Sequence, residues 1–511
     1  MLLIYLIITL STLVVVYLKW CFSHWQRLGF PYVEAQIPFG VLDPVIRTWK
    51  KSLGMAIYDV YRQSKDRVVG IYLINRPALL VRDAKLSRDI LTKDFSSFHD
   101  RGVYVDEEHD AMSGGLFFLK GKKWKSLRTK LTPSFTSGKL KGMFGTIEDV
   151  SNKMVDHIKA QLPEDGSAGT VETKQLFVTY AIDIIASAIF GLNVNSFVNP
   201  DNEFFALSRT VNENTYVGVF RGTCQFLFPG LEKLFQRIGW TEPAPESMKK
   251  LVRRTIEYRE KNNVIRKDML QLLLQLRNTG KINDDNDEEW SAEKTKDALT
   301  SMSVDMIAAQ LFLFYVAGFE TSASTTAFTL YELAQYPELL KKAQDDVEHA
   351  LENHGKMTYE ALKDMKYLDL CIMETTRKYP GLPILNRICT HDYSIPDTKL
   401  VIKSGTPIII SLFGMHRDPE YFPNPMLYDP ERFLEENMNY DPAAYMPFGE
   451  GPRHCIAQRM GKVNVKAAIA QVLTNFNIEI NPNRQEIEID NFGIPIMPKG
   501  GIPVKFSRKI K

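Results

Sequence analysis

Residues 447–461 read Pro447-Phe-Gly-Glu-Gly-Pro-Arg-His-Cys-Ile-Ala-Gln-Arg-Met-Gly461, and the rest of the chain is read outward from this stretch. Its glycines and prolines specify an irregular loop. From Ile456 onward, through Lys466-Ala-Ala-Ile-Ala-Gln471, the composition is that of a helix. A cysteine standing where a loop enters a helix has backbone N–H groups and the positive dipole end close by, and both favour thiolate over thiol. Arg453 adds positive charge two residues away. A thiolate of that kind is a nucleophile or a metal ligand. Inert buried cysteines are also common, so Cys455 needs support from elsewhere in the chain.

That support lies upstream. Met302–Gln335 is a proline-free run that reads as one helix of about 50 Å, ended by Tyr336-Pro337. Within it stands Ile307-Ala-Ala-Gln-Leu-Phe-Leu-Phe-Tyr-Val-Ala-Gly-Phe-Glu-Thr-Ser322. An acid beside a hydroxyl in an apolar run carries a desolvation cost that calls for a reason. Thr321 is placed to hydrogen-bond a carbonyl one turn earlier, and Gly318 leaves room for a groove there. Such a groove holds oxygen and a water, with Glu320 and Thr321 relaying protons. The plainer alternative puts Glu320 in solvent and Thr321 in the core. Glu374-Thr-Thr-Arg377 sets an acid and a base on one helical face, which alone means no more than a surface pair. Tyr428-Asp-Pro-Glu-Arg-Phe433 brings a second arginine, Arg432.

Composition bounds the remaining possibilities. The chain has 511 residues, 44% hydrophobic and 24% charged, with a formal net charge of +2. That balance excludes nucleic acid as the main partner, because such binders carry a strong basic excess. Five scattered cysteines (Cys21, Cys224, Cys371, Cys389, Cys455) form no spaced pair, which points to a reducing compartment. Leu2–Leu18 carries no charged side chain, and as a helix it spans about 26 Å, close to the core of an endoplasmic reticulum bilayer. Trp20, Phe22 and Trp25 supply interfacial aromatics, and Lys19 and Arg27 trail the segment, which predicts a cytosolic body. A cleaved signal peptide is the alternative, but a basic leading region and a small-x-small cleavage site are both missing.

Gly29–Gly40, with Pro31 and Pro38, reads as a stiff connector. Strands are expected at Val68–Leu73 and Ala78–Val81, and again at Leu400–Ile402, Pro407–Ser411, Asn477–Ile480 and Gly501–Phe506. Helices are expected at Leu176–Phe190, Lys249–Asn262, Lys267–Leu276, Glu338–His354 and Tyr359–Tyr379. The acidic stretch Asn278–Glu289 reads as a solvated loop. The fold class is therefore mainly α with small β-sheets. The expected organisation is an anchor at 1–20, a proline-containing hinge at 21–40 and a catalytic domain at 41–511. Leu119–Lys130 carries six basic residues and no acid. It is either a solvated helix face or a salt-sensitive docking patch for an acidic partner protein.

Taken together, these segments resemble the cytochrome P450 superfamily. Phe448, Gly451, Arg453 and Cys455 match its haem-binding signature Phe-x-x-Gly-x-Arg-x-Cys-x-Gly, which Ala457 departs from in place of the last glycine. Ala317-Gly-Phe-Glu-Thr321 is similar to the family's Ala/Gly-Gly-x-Asp/Glu-Thr motif, and Trp124-Lys-Ser-Leu-Arg128 to its W-x-x-x-R helix. The resemblance covers essentially the whole chain, and the wording near Phe30–Gly40 and Phe190–Phe197 is similar to the insect detoxification members. It implies the P450 fold with haem b as cofactor and Cys455 as the iron ligand, a thiolate that promotes O–O cleavage. By the same resemblance Phe448 packs on the sulfur, Gly451 permits the turn, and Ala317 and Gly318 line the cofactor. Arg453, Trp124 and Arg128, with Arg101 and Arg387, would meet the haem propionates. Glu374, Arg377 and Arg432 would form a buried triad on the cysteine side.

The activity implied is insertion of one atom of O2 into a lipophilic small molecule, with electrons from NADPH delivered by a cytochrome P450 reductase and cytochrome b5 as a second partner. The implied location is the endoplasmic reticulum membrane. Phe98–Phe118, Leu207–Phe228, Leu382–Leu385 and Ile494–Met497 would line the substrate pocket. Two other activities fit a haem-thiolate protein. An isomerase or dehydratase turns over a peroxide without reductase, and a non-catalytic lipophile binder gives binding spectra but no product.

Overall fold

The computed structural model describes residues 1–511 apart from 49, 108–109, 213–223, 225–228, 239–242, 281, 283–301, 482–486, 492 and 510–511. The apolar N-terminal run forms one helix, Leu2–Phe22, with its side chains exposed along most of its length. Its end is fastened to the body. Trp25 is buried and donates its indole N–H to Ile71 O at 2.9 Å, Tyr72 donates its hydroxyl to Phe22 O at 2.8 Å, and Asn75 Nδ2 reaches Tyr17 Oη at 3.3 Å. The stretch 21–40 thus starts inside the anchor helix, continues as a short packed helix, His24–Arg27, and places Phe30 in the sheet core.

Nine strands lie among the described residues: β1 (Val68–Leu73), β2 (Arg76–Val81), β3 (Gly169–Glu172), β4 (Ile384–Ile388), β5 (Tyr393–Ser394), β6 (Val401–Ile402), β7 (Pro407–Ser411), β8 (Phe476–Ile480) and β9 (Pro503–Arg508). One sheet has the order β1-β2-β7-β4, a second β3-β9-β8, and β5 pairs with β6. β1 and β2 are joined by a two-residue turn with Ile74 left-handed at φ 55°, so β2 starts at Arg76 rather than at Ala78. β2 runs parallel to β7, which is possible because more than three hundred residues of chain return between them.

The helical body surrounds Val304–Gln335, a helix of about 48 Å. Ser303 caps it by accepting from Met306 N at 3.1 Å, and Pro337 stops it. It packs against the helices Thr173–Ala188, Pro243–Asn262 and Gln458–Asn475. Its apolar character is that of a core helix, buried over most of its length, in contrast to Leu2–Phe22. Thr173–Ala188 starts three residues earlier than Leu176, because the Glu172 carboxylate accepts from Lys174 N and Gln175 N. Tyr359–Tyr379 is split at Met365 into Tyr359–Asp364 and Lys366–Lys378. Asn278 and Thr279, read as the start of the acidic loop, instead finish the helix Met269–Thr279, closed by Gly280 at φ 80°. Most of the acidic stretch lies outside the described residues, as does most of Leu207–Phe228.

Candidate active site

The cysteine loop is built around two left-handed glycines, Gly449 at φ 71° and Gly451 at φ 68°. A Cβ on Gly451 would stand 1.8 Å from Leu91 O, so glycine is required there for space as well as for conformation. The turn closes with Cys455 N donating to Phe448 O at 2.9 Å. The helix begins at Gln458 with Ala457 as N-cap, two residues later than the sequence implies. Ala457 has φ −96°, an ordinary backbone for any L-residue, which explains why alanine is accommodated where glycine is usual.

Cys455 is exposed, although protein crowds closely around its thiol. Burial pushes its thiol up, and the Ala457 N–H and the charges of Arg128 and Arg101 pull it back. Arg453 was expected to supply that charge, but its side chain is committed elsewhere. It donates to His99 O and to Leu119 O (2.7 Å), pairs with Asp100 at 3.4 Å and stacks over the Trp124 ring at 4.2 Å.

Around this loop four guanidiniums gather. Arg101 is held well below its ordinary range by burial and by the nearby charges of Arg387, Arg453 and Arg128. Arg387, in β4, is pushed down to about 9 by burial and by Arg453. Among the described residues the one carboxylate ion-paired to this group is Asp100. Arg101 and Arg387 each bury an Nε atom that has no hydrogen-bond partner. Like charges packed this closely, with donors left over, call for anionic oxygens in paired array. One soft thiolate donor beside four arginines that share a single ion-paired acid matches the ligand needs of an iron porphyrin with two carboxylates. The residues present fit haem.

In the long helix, Thr321 Oγ1 donates to Ala317 O at 2.8 Å, and Ala317 is exposed although it sits mid-helix among core residues. Gly318 meets Ile185 across the helix pair, where an added Cβ would come 3.0 Å from the isoleucine side chain. Glu320 is buried, not solvated: it ion-pairs with Lys174 and accepts from Ser324 Oγ at 3.3 Å.

The family model for cytochrome P450 matches residues 44–506. The chain belongs to the cytochrome P450 family. It is 61% identical over 507 residues to the probable cytochrome P450 6d5 of Drosophila melanogaster, covering 99% of each chain. It is 53% identical to cytochrome P450 6d3 of Musca domestica, again over 99% of each, and 37% identical to cytochrome P450 6k1 of Blattella germanica, over 98% and 96%. The protein is thus a haem-dependent P450 monooxygenase similar to insect members of the sixth P450 family.

The other residues singled out in this P450 fall into two groups. Glu374, Arg377 and Arg432 come together and are buried: Arg377 forks onto Glu374 at 2.7 and 2.8 Å, and Arg432 Nε reaches the same carboxylate at 3.2 Å. Asp429 N and, through Arg377, His416 O complete the network. Trp124 is buried beside Phe95, and Arg128 approaches His454 Nε2 at 3.4 Å. Several contributors carried no signal in the sequence. Gln310, fully buried, ties the long helix to Gly114 O and Leu116 N at 3.0 and 2.8 Å. Gly381 lies against the Thr321 side chain, and Lys174 reaches Glu320 from another helix. Each acts across a long chain separation, where periodicity and spacing are silent.

Proposed function

We propose that the protein is a membrane-anchored haem-thiolate monooxygenase acting on lipophilic small molecules, xenobiotic or endogenous, with electrons from NADPH passed by a cytochrome P450 reductase. What carries this reading is Cys455, exposed among buried neighbours with the charges of Arg128 and Arg101 acting on its thiol. Bound there, haem supplies the redox and oxygen chemistry, and the thiolate is the ligand that favours O–O cleavage. Cys455 is the iron ligand, Phe448 and Gly451 shape its loop, and Arg101, Arg128, Arg387 and Trp124 hold the propionates together with Arg453.

Ala317 and Gly318 line the oxygen side, where the Thr321 hydroxyl bonds back to Ala317 O. A proton reaches Thr321 by way of Glu320, which pairs with the half-buried Lys174. Glu374, Arg377 and Arg432 brace the loop beneath the cysteine. Residues 1–20 anchor the chain in the endoplasmic reticulum membrane, 21–40 connect, and 41–511 form the catalytic domain in the cytosol. Lys122, Lys123 and Lys125 are exposed on the helix Gly121–Leu131, with Lys120 at its N-cap, and form the face for an acidic electron donor, the reductase or cytochrome b5. The test is optical. Purified protein reduced under carbon monoxide gives the Soret position of thiolate-ligated haem, and Cys455→Ser abolishes it along with NADPH-dependent product. An imidazole-type position in native wild-type material overturns the reading.

A further inference from the structure

Gln310 is fully buried in the apolar helix Val304–Gln335, where a carboxamide needs partners at both its ends. It finds them mainly outside its own element. Oε1 accepts from Leu116 N at 2.8 Å, and Nε2 donates to Gly114 O at 3.0 Å and to Met306 O, one turn back, at 3.3 Å. Leu116 N and Gly114 O flank a single residue, so one side chain clips this backbone as a neighbouring strand would. The clipped segment has little stiffness of its own, because Gly114-Gly115 is as free a dipeptide as the chain can offer. Beyond it, Gly115 O closes a turn by accepting from Phe118 N at 2.9 Å and Leu119 N at 3.3 Å. Arg453 then holds Leu119 O at 2.7 Å, so the turn is fixed at both ends. It carries Phe117 and Phe118, both half-buried, with rings 5.4 Å apart and edge to face. Arg101, one of the guanidiniums near the cysteine loop, lies over the Phe117 ring at 4.0 Å. Gln310 itself stands seven residues before Ala317, two turns or about 10 Å along one helical stripe. The clip therefore fastens an aromatic turn to the stripe that also carries Ala317 and Thr321.

We propose that Gln310 is a positioning residue for substrate selection: it holds the Phe117–Phe118 turn as a rigid wall of the substrate space, and that wall favours ligands with a flat apolar body. The proposal rests on the monooxygenase reading and deepens it by naming what sets the preference of that site. A wall fixed beforehand costs nothing to order when a ligand arrives, whereas a loose one must be ordered at the expense of affinity. That expense falls on ligands long enough to reach the wall and spares those that touch the iron alone. Two lost bonds to buried backbone are worth about tenfold or more in affinity for the longer ligand.

The experiment is an optical titration of the detergent-solubilised full-length holoenzyme with two probes, imidazole and 4-phenylimidazole, read from the Soret shift. Gln310→Met keeps the volume and removes both bonds to the turn. It is expected to weaken 4-phenylimidazole about tenfold or more and to leave imidazole within about twofold, with an unchanged carbon monoxide spectrum. Gln310→Glu restores most of the loss, because burial keeps its carboxyl neutral, able to accept from Leu116 N and donate to Gly114 O. Phe117→Ala weakens the longer probe by removing the ring, and adding Gln310→Met to it changes the affinity by no more than about twofold, since both act through one wall. Equal weakening of the two probes, weakening of neither, additive effects in the double variant, or a Gln310→Glu protein no better than Gln310→Met overturns the proposal. In each of these cases a thiolate-type carbon monoxide band leaves the monooxygenase reading intact. Loss of that band in Gln310→Met also overturns the proposal, because the residue would then serve haem assembly. An imidazole-type band in native wild-type protein removes the monooxygenase reading and the proposal with it.

Discussion

At Gly451 a methyl group would meet Leu91 O at 1.8 Å, on a backbone already at φ 68°. At Ala457, six residues on, the backbone is ordinary and a methyl is already in place. The two positions belong to one motif and answer to different constraints. Gly451→Ala is expected to cost at least about 3 kcal/mol, combining left-handed strain with a backbone clash. It will appear as a lowered thermal midpoint and a reduced haem-to-protein ratio. Ala457→Gly is expected to stay within about 1 kcal/mol and to keep the carbon monoxide spectrum. Arg377 offers the sharper electrostatic case. Removing it leaves Glu374 buried with only Arg432 and a backbone N–H, so Arg377→Ala should lose about 3–5 kcal/mol and fail to incorporate haem. A full haem spectrum from that variant would contradict the bracing role.

Among the elements, the anchor helix and the first sheet behave as one joined piece. Side chains up to Trp20 are mostly exposed, while Cys21 is buried and Trp25 packs into the core of the first sheet. Deleting residues 2–19 should therefore release the protein from membranes with an unchanged thermal midpoint. Extending the deletion through Trp25 removes a buried indole and its bond to Ile71 O, which is expected to cost about 3–5 kcal/mol. Equal midpoints for the two truncations would show that the anchor end does not support the sheet. Most element types were readable from the sequence, since Val68–Leu73, Pro407–Ser411 and the end of Met302–Gln335 fall where alternation or helical period places them. The starts of β2 and of Thr173–Ala188 were not. They were set by a two-residue turn and by the Glu172 cap, which override the apolar pattern.

Across the whole molecule, acid sensitivity can be assigned to particular buried groups. His416 is fully buried, with Nδ1 at Arg377 O (3.2 Å) and Nε2 accepting from Met446 N (3.3 Å). Burial first, and then the Arg377 charge, hold its pKa down to about 3. Between its unfolded value near 6.5 and that lower value, the unfolded chain binds a proton that the native state refuses. Stability from this group is complete above about pH 6.5 and declines as the pH falls toward 3, by up to about 1.4 kcal/mol per unit. Asp183, pushed up to about 6 mainly by burial, works in the opposite sense as the pH falls from 6 toward 4. His416→Gln should therefore remove the acid penalty and leave the Asp183 gain. The stability difference between variant and wild type will then change with pH across 6.5–4, read from urea midpoints. Parallel pH curves would place the imidazole's proton elsewhere.

The sequence alone determined the chemistry: a thiolate-type loop, an acid–hydroxyl pair in an apolar helix and an apolar leading segment are local patterns, and local patterns survive in one dimension. Only the tertiary structure decided which charges meet. It moved the cations near the Cys455 sulfur from Arg453 to Arg128 and Arg101, and gave the buried Glu320 its partner in Lys174. Those pairings join residues dozens to hundreds of positions apart. Their energies depend on burial and distance, and neither quantity exists until helices and sheets are packed.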